Sequence, residues 1–335
     1  MRHLRDPAGS LSVVLPFRDA GATLDEALSG LLAEDDPARE VLAIDDGSTD
    51  SGRSRVQAWS ARDPRLRLLD GGGRGLVHAL NLGLAEAHGA LIARMDADDI
   101  AHPRRLSRQR DHLCAHPTIG VLGCQVRAVG AGEGLLRYVD WQNSLLTPAQ
   151  HANARFIESP LCHPTIVVRR TVFEDVGGYR DFDGPEDYEL FLRCIQRGHA
   201  LAKLPEVLLD WRHRAQRATF HDTRYTLAKQ RAAKAPYLAD VVRGAEVVQW
   251  GAGKTGRQLA RQLRAHDVRP ALFIDIDPRR VGSTMQGVPI VSASELDARR
   301  HVVIAAVGAR GAREVIRPQL QERGFVEGVN AWFAS

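Results

Sequence analysis

Residues 41–50 read VLAIDDGSTD, an apolar run that passes directly into two carboxylates, a glycine and small polar side chains. A short apolar run bounded by turn-forming residues is typical of a buried β-strand. The pattern recurs on both sides: strand-like runs occupy residues 11–15, 41–44, 66–69 and 90–93, and helix-like stretches occupy 22–32, 51–60 and 75–87. This βαβαβαβ order predicts a parallel, doubly wound sheet that binds ligands at the carboxyl ends of its strands.

Beyond residue 99 strands and helices no longer alternate regularly. A second βαβ pattern begins after residue 245. The first part holds a helix after Pro103, strands near residues 120–129 and 165–169, and a helix over 186–197. Residues 212–234 carry seven lysines and arginines against one acid. The second pattern has strands at 246–250, 271–274 and 301–307, with a helix at 257–265 after a glycine-rich turn. We therefore expect two α/β domains joined by a basic linker.

Composition excludes several classes of protein. The chain has 335 residues, 44% of them hydrophobic, which fits two soluble domains rather than a disordered or fibrous chain. No apolar run approaches the roughly 20 residues of a membrane helix, and the first ten residues lack a signal peptide's apolar core, so we expect a cytoplasmic protein. The four cysteines form no CxxC pair, which excludes a zinc knuckle. The net charge of +4 comes from diffuse arginines, so we expect no nucleic-acid partner.

The first acidic group follows the strand at 41–44 and contains Asp45, Asp46 and Asp50. A carboxylate at a strand's carboxyl end can accept a hydrogen bond from the imide or amide of a nucleobase. Aspartate is equally a good cap for the next helix. Both roles stay open, and different residues of the group can fill them.

A second acidic group, Asp96, Asp98 and Asp99 in the stretch RMDADD, follows the strand at 90–93. Carboxylates two residues apart in a loop can hold Mg²⁺ or Mn²⁺ and leave coordination positions for water and phosphate oxygens. The alternative is a solvated turn before Pro103. Because the strands are parallel, we expect this group to share one sheet edge with the first.

The third acidic group, Glu186 and Asp187, opens the helix predicted over 186–197. The helix dipole favours an ionised carboxylate at this end and lowers its pKa. An ionised carboxylate within reach of a hydroxyl can act as a general base. A purely capping acid is the alternative.

These motifs occur in one order, VVLPF, IDDGSTD, ARMDADD, GPEDYELF and DWRHR, and together resemble the family 2 glycosyltransferases with the GT-A fold. The resemblance covers roughly residues 11–214. It implies an α/β, GT-A type doubly wound mixed sheet over residues 1–215. A basic helical linker over 216–244 would follow, and then a smaller Rossmann-like domain over 245–335.

The resemblance also assigns roles in binding a nucleotide-sugar donor. Asp46 would bond the base, expected to be the uracil of a UDP-sugar, with Pro16 and Phe17 lining it. Asp98 would coordinate the divalent metal, Mg²⁺ or Mn²⁺, that bridges the diphosphate. Asp96 would contact the ribose or the metal's shell.

Further roles concern transfer itself. Asp187 would be the catalytic base of an inverting transfer to a hydroxyl of a glycan, glycolipid or other acceptor, and Glu186 would orient it or bind beside it. His213 is a candidate contact for the metal or diphosphate, or else an exposed histidine. The implied activity belongs to cell-surface glycan or glycoconjugate synthesis. The alternatives are an NAD(P)-dependent oxidoreductase and a nucleotide-sugar-binding regulatory protein.

The C-terminal segment carries a GxGxxG motif, Gly251, Gly253 and Gly256, with Asp275 after the next strand. The spacing suits a phosphate at a helix N-terminus and a ribose on the acid. The stretch FIDIDPRRVGSTMQGVPIV resembles Rossmann-like domains attached to sugar-modifying enzymes. Either this domain has a structural, acceptor-positioning or oligomerising role, or it binds a nucleotide or NAD-like ligand.

The basic segment, residues 212–234, has two interpretations of its own. A helix rich in lysine and arginine can lie on an anionic membrane, which would place the protein peripherally at the inner face and suit a lipid-linked acceptor. A solvated helix between two domains is the alternative.

Overall fold

The computed structural model describes residues 9–33, 40–213 and 222–335. Their contacts separate two compact units, each of which is described by itself. The first takes its residues from Met1–His151, Pro160–Phe182 and Arg193–His221, and the second from Ala152–Ser159, Asp183–Leu192 and Asp222–Ser335.

All seven elements predicted before residue 99 are present, with ends within two residues of the prediction. They are β1 (Leu11–Phe17), α1 (Leu24–Leu32), β2 (Glu40–Asp45), α2 (Gly52–Ser60), β3 (Leu66–Asp70), α3 (Leu76–Glu86) and β4 (Leu91–Arg94). Strand β1 continues through Pro16, which pairs with Ile44 of β2, to Phe17. A proline is tolerated there because it lies near the end of the strand and costs the ladder one donor.

The middle of the chain completes the first sheet and supplies five helices. The elements are β5 (Ile100–Ala101), α4 (Arg105–Ala115), β6 (Ile119–Val129), α5 (Glu133–Ser144), α6 (Pro148–Ala154), β7 (Val167–Arg169), α7 (Arg170–Val176), α8 (Glu186–Gln196) and β8 (Ala200–Arg212). The motif reading did not predict α5, α6, α7, β5 or β8.

The first sheet has eight strands in the order β3-β2-β1-β4-β7-β6-β8-β5. The four strands from β3 to β4 are parallel, whereas β7 runs antiparallel to both β4 and β6. The predicted doubly wound mixed sheet is confirmed. Its hydrophobic core extends from β1, β2 and β4 to β6 and β8, and every residue of β1 and β2 is buried.

The second sheet has six strands in the order β11-β12-β10-β9-β13-β14. After helix α9 (Leu227–Val241), its elements are β9 (Glu246–Trp250), α10 (Lys254–Arg264), β10 (Leu272–Ile274), β11 (Thr284–Met285), β12 (Val288–Val291), β13 (His301–Ala305), α11 (Ala312–Glu322) and β14 (Ala331–Phe333). Only β11 and β12 pair antiparallel. Helix α10 starts three residues before the predicted start at 257, directly after Gly253. In the described part of the chain, no helix is both long enough and apolar enough to cross a membrane.

Candidate functional site

The first two acidic groups lie at one edge of the first sheet, as the sequence predicted. Strand β1 pairs in parallel with β2 and with β4, so the loops after β2 and β4 leave the sheet on the same side. The chain after β4 stays against β1, because the Met95 N–H donates to the Val14 carbonyl at 3.1 Å. The candidate donor-binding residues of this unit are therefore carried by adjacent strand ends.

Two acids of the first group have structural roles. The Asp45 carboxylate accepts the Ser48 N–H at 2.8 Å and Arg53 Nη1 at 3.0 Å. Burial opposes its ionisation, but the hydrogen bonds from Ser48 and Arg53 outweigh burial and lower the pKa of Asp45. Asp50 accepts the Gly52 N–H at 2.8 Å and the Gly21 N–H at 2.7 Å, so it joins the loop after β1 to the start of α2, whose N-cap is Ser51.

Asp46 is the third acid of the first group, and its role in binding a ligand stays a prediction. It is 6% exposed, and its Oδ1 accepts the Gly75 N–H at 2.9 Å. The Asp46 N–H in turn donates to the Phe17 carbonyl at 2.9 Å, so this carboxylate stands directly beside the end of β1. Gly75 has a φ of 96°, which only glycine adopts without strain. The motifs did not predict a role for the loop of residues 71–75, although its glycine-rich sequence, GGGRG, could have indicated one.

Pro16 and Phe17 are both buried at the end of β1, and Phe17 belongs to the hydrophobic core. Their backbone therefore adjoins Asp46, while the Phe17 ring packs inward. Contact between these two residues and a nucleobase stays a prediction.

The second group brings three carboxylates together after β4. One oxygen from each of Asp96, Asp98 and Asp99 lies within 4.8 Å of the other two. Asp99 is fully buried, and Asp96 and Asp98 are partly exposed. Converging hard oxygen donors with an exposed side are what Mg²⁺ or Mn²⁺ requires. The resemblance assigns roles to Asp96 and Asp98 only, and the structure adds Asp99 to this cluster.

Two arginines fix this acidic loop. Arg94 is nearly buried, and its Nη2 lies 2.6 Å from Asp96 Oδ1. Burial opposes the charge on Arg94, but the attraction of Asp96 outweighs it and raises the pKa of Arg94. Arg212, at the end of β8, donates its N–H to Asp99 Oδ1 at 2.8 Å and its Nε to the Asp98 carbonyl at 2.6 Å. Asp96 is thus already engaged by Arg94.

His213 follows Arg212, the residue that binds the acidic loop, directly in the chain. Its N–H donates to the Val129 carbonyl at 2.8 Å, and its ring packs edge-on against Trp211 at a centroid distance of 4.4 Å. The chain thus brings His213 next to Arg212, which binds the acidic loop. A metal or diphosphate contact for the imidazole stays a prediction.

The third group belongs to the second unit, where it opens α8. Glu186 is 2% exposed, and the Tyr225 hydroxyl contacts its two carboxylate oxygens at 3.0 and 2.9 Å. Burial, reinforced by the charge of Asp187, raises the pKa of Glu186 to about 7. For Glu186, the expectation that the helix dipole lowers the pKa is wrong, because burial dominates.

Asp187 is the next residue of α8. Its Oδ1 accepts the N–H of Tyr188 at 2.7 Å, a local bond that holds its side chain at the first turn of the helix. Its neighbour Tyr188 is buried and donates its hydroxyl to the Arg155 carbonyl at 2.6 Å. A fixed carboxylate beside a buried second carboxyl is a suitable general base, and that role for Asp187 stays a prediction.

The C-terminal glycines form the tight turn that the motif predicts. Gly251 has a φ of 116°, and a β-carbon there would meet the Ala306 carbonyl oxygen at 2.6 Å. A β-carbon on Gly256 would overlap the Gly251 carbonyl oxygen, so both positions require glycine. Asp275 lies directly after β10, where its Oδ2 accepts the Ala252 N–H at 3.1 Å and Arg280 Nη1 at 2.9 Å. Asp275, which the motif predicts to bind a ribose, is therefore paired with Arg280.

A cavity of about 470 Å³ lies at this glycine turn. Its lining includes the cationic side chains of Lys254, Arg280 and Arg310 and the apolar side chains of Ile276 and Val315. Ile276 is 79% exposed and Val315 58% exposed. The cavity combines positive charge with exposed apolar surface, which suits a phosphorylated ligand with a flat apolar part.

The structure describes five cationic side chains of the basic segment, and four of them contact protein groups. Arg212 binds the acidic loop, Arg224 pairs with Asp222, and Lys229 pairs with Asp183. Lys234 is 3% exposed and donates to the carbonyls of Phe156, Ile157 and Ala334 at 2.6, 2.9 and 3.2 Å. Arg214 and Arg217 lie outside the described residues. The engaged cations favour an intramolecular role over a membrane surface.

A mixed α/β sheet with carboxylates at adjacent parallel strand ends defines a GT-A-type protein with a second, Rossmann-like sheet. Residues 12–177 match the family described as Glycosyl transferase family 2, and this part of the chain belongs to that family. Residues 243–324 match the family described as CoA binding domain. The predicted fold class and the glycosyltransferase identity are confirmed, and neither the oxidoreductase nor the regulatory alternative is favoured.

Three known proteins show how far the similarity extends. The amylovoran biosynthesis glycosyltransferase AmsE of Erwinia amylovora is 29% identical over 205 residues, 61% of this chain and 75% of the relative. An Escherichia coli UDP-Gal:alpha-D-GlcNAc-diphosphoundecaprenol beta-1,3-galactosyltransferase is 27% identical over 214 residues, 62% of this chain and 74% of the relative. The structure of S. aureus TarS 1-349 with UDP-GlcNAc is similar in fold, with a TM-score of 0.58, 17% identity and coverage of 76% of this chain and 72% of TarS.

Proposed function

We propose that the chain is a metal-dependent, inverting glycosyltransferase that moves a sugar from a UDP-sugar to a hydroxyl of a glycan acceptor. The carrying observation is the convergence of Asp96, Asp98 and Asp99 at the strand edge that also holds Asp46. The uracil donor is supported by the galactosyltransferase relative, whose name specifies UDP-Gal. The same name specifies a sugar on a lipid diphosphate, which makes a lipid-linked glycan the leading acceptor class.

The acidic loop fits a divalent cation because its donors are hard oxygens and its partly exposed side leaves room for phosphate. Asp98 would hold the ion, with Asp99 and His213 as further candidate contacts. Asp96, engaged by Arg94, would bond the ribose or the metal's water shell. A bound metal would offset the negative charge of the departing nucleoside diphosphate.

The protein's own groups would position the reactants and move one proton. Asp46 would accept a hydrogen bond from the base, with Pro16 and Phe17 forming the adjoining surface. The Asp187 carboxylate would take the proton of the acceptor hydroxyl while that oxygen attacks the anomeric carbon. The bond to the diphosphate would break on the opposite face, which inverts the configuration. Glu186 would orient Asp187.

Release of UDP from UDP-Gal, UDP-Glc and UDP-GlcNAc with Mn²⁺ tests this proposal, with GDP- and dTDP-sugars as comparison donors. We expect a UDP-sugar to turn over, and we expect Asp98→Ala and Asp187→Ala to abolish turnover. Asp187→Ala should still bind the donor, because the residue acts on the acceptor. Full turnover by Asp187→Ala would refute the base assignment.

For the C-terminal domain, the cavity favours binding of a phosphorylated nucleotide over a purely structural role. Its candidate contacts are the turn at Gly251, Gly253 and Gly256 and the Asp275–Arg280 pair. Titration of CoA, NAD and UDP into the protein, followed by calorimetry, tests this assignment. Binding that is lost in Arg280→Ala supports it, whereas no binding by any of the three favours the structural or oligomerising role.

A further inference from the structure

The start of α8 is held by the segment that follows the first unit's last strand. Three side chains of residues 222–241 reach acids at or near the helix start: Lys229 pairs with Asp183, Tyr225 contacts Glu186, and Tyr237 donates its hydroxyl to Glu189 Oε1. All six residues belong to the second unit. Of the three, only Tyr225 contacts the residue adjacent to Asp187.

Tyr225 is itself held in place by the turn around it. Asp222 accepts the Arg224 N–H at 2.9 Å and pairs with the Arg224 guanidinium at 2.6 Å, while the Tyr225 N–H donates to the Asp222 carbonyl at 3.2 Å. Thr226, the N-cap of α9, follows directly. A tight turn and the start of a helix therefore flank Tyr225 and hold its backbone in place.

The Tyr225 hydroxyl must be the donor in this contact. Burial, together with the charges of Glu186 and Asp187, raises the pKa of Tyr225 well above its usual range, so it keeps its proton. Hydrogen bonds to a carboxylate stabilise the ionised form. The other charges that face Glu186 are Asp187 on its own helix and Arg224 on the turn, and Arg224 is already paired with Asp222.

We propose that Tyr225 is a positioning residue of the Glu186–Asp187 pair, acting on Asp187 through its contact with the Glu186 carboxylate. The inference rests on the proposed role of Asp187 as the base. When the Tyr225 hydroxyl holds the Glu186 carboxylate, that carboxylate presents a fixed negative charge next to Asp187. A neighbouring negative charge makes Asp187 a stronger proton acceptor.

Tyr225→Phe tests the proposal, and Tyr237→Phe is its matched control. Each variant removes one hydroxyl that contacts a buried glutamate of α8, so the two should lose similar amounts of thermal stability. Only Tyr225→Phe removes the donor beside the base. The carboxyl groups of Glu186 and Asp187 are followed by ¹³C NMR from pH 4 to 10, with signals assigned from Glu186→Gln and Asp187→Asn.

Because two interacting carboxyls titrate as a pair, the quantity to compare is the upper of their two macroscopic steps. We expect Tyr225→Phe to move that step up by about one to two pH units, as loss of a hydrogen bond to a charged group predicts. Tyr237→Phe should leave it in place. In the Glu186→Gln background, Tyr225→Phe should no longer change the Asp187 titration.

The same variants are compared in the pH profile of kcat for UDP release from the UDP-sugar that turns over fastest. In Tyr225→Phe, the pH at which kcat changes should shift together with the upper titration step seen by NMR. In Tyr237→Phe, neither should shift. If Tyr225→Phe and Tyr237→Phe titrate alike, the positioning role is refuted. If Asp187→Asn retains full turnover, the proposed base fails instead, so the two failures are distinguishable.

Discussion

Replacing Glu186 by glutamine should raise the stability of the protein far more at alkaline pH than near pH 5. Glu186 is 2% exposed, and burial with the Asp187 charge raises its pKa to about 7 from the ordinary 4.5. Glutamine keeps the side-chain shape and an oxygen that accepts the Tyr225 hydroxyl. The substitution therefore removes the ionisation and little else.

The magnitude follows from proton linkage. Because the pKa of Glu186 is higher in the folded state, its contribution to stability is fully present below pH 4.5 and is lost as pH rises through about 7. A shift of about 2.5 units at 1.36 kcal/mol per unit is about 3 kcal/mol. Above pH 8 Glu186→Gln should therefore exceed the wild type in unfolding free energy by about 3 kcal/mol.

Urea unfolding at pH 5, 6, 7, 8 and 9 measures this difference. With a slope of about 3 kcal/mol per molar urea, the midpoint of the variant should exceed that of the wild type by about 1 M at pH 8 and above. Glu174→Gln, which replaces an exposed glutamate, controls for the loss of one negative charge. Parallel midpoint curves for wild type and Glu186→Gln across this pH range would refute the burial argument.

Two further predictions concern the second unit. Lys234→Met should lower the unfolding free energy by about 3 kcal/mol or more, because three buried carbonyls lose the ammonium that contacts them, and Lys254→Met, at an exposed position, should not. Equal urea midpoints for these two variants would contradict the prediction. Gly256→Ala should prevent folding of the C-terminal sheet because the added methyl overlaps the Gly251 carbonyl, whereas Gly253→Ala finds its nearest neighbour, Arg280 Nη1, at 3.5 Å and should fold. Circular dichroism and the near-ultraviolet signal of Trp250 compare them, and a folded Gly256→Ala would show that the turn can relax.

The sequence predicts the strands and helices of the first half of the fold because each is specified by a short local pattern. The alternation of apolar runs and amphipathic helices identifies β1 to β4, and parallel pairing then places Asp46 and Asp96 at one sheet edge. The glycine spacing likewise predicts the turn at Gly251, which backbone geometry alone requires.

The contacts that shape the site are not local, and the sequence does not predict them. Arg212 reaches the acidic loop from 113 and 114 residues away, and Tyr225 reaches Glu186 across 39 residues. Both belong to a segment whose excess of positive charge resembles a solvated linker. Helix α5 carries no motif, and the DWRHR motif does not itself predict the long strand β8 that leads into it, because pairing with β6 rather than a local pattern specifies that strand.

Binding of UDP in the presence and absence of Mn²⁺, measured by calorimetry with wild type and Asp98→Asn, tests the central claim most directly. If the acidic edge holds a metal-bound nucleotide diphosphate, chelation of the metal should weaken UDP binding to the wild type at least tenfold. Asp98→Asn should bind UDP weakly under both conditions. Equal affinity with and without metal, or an Asp98→Asn variant with the full metal effect, would contradict the account.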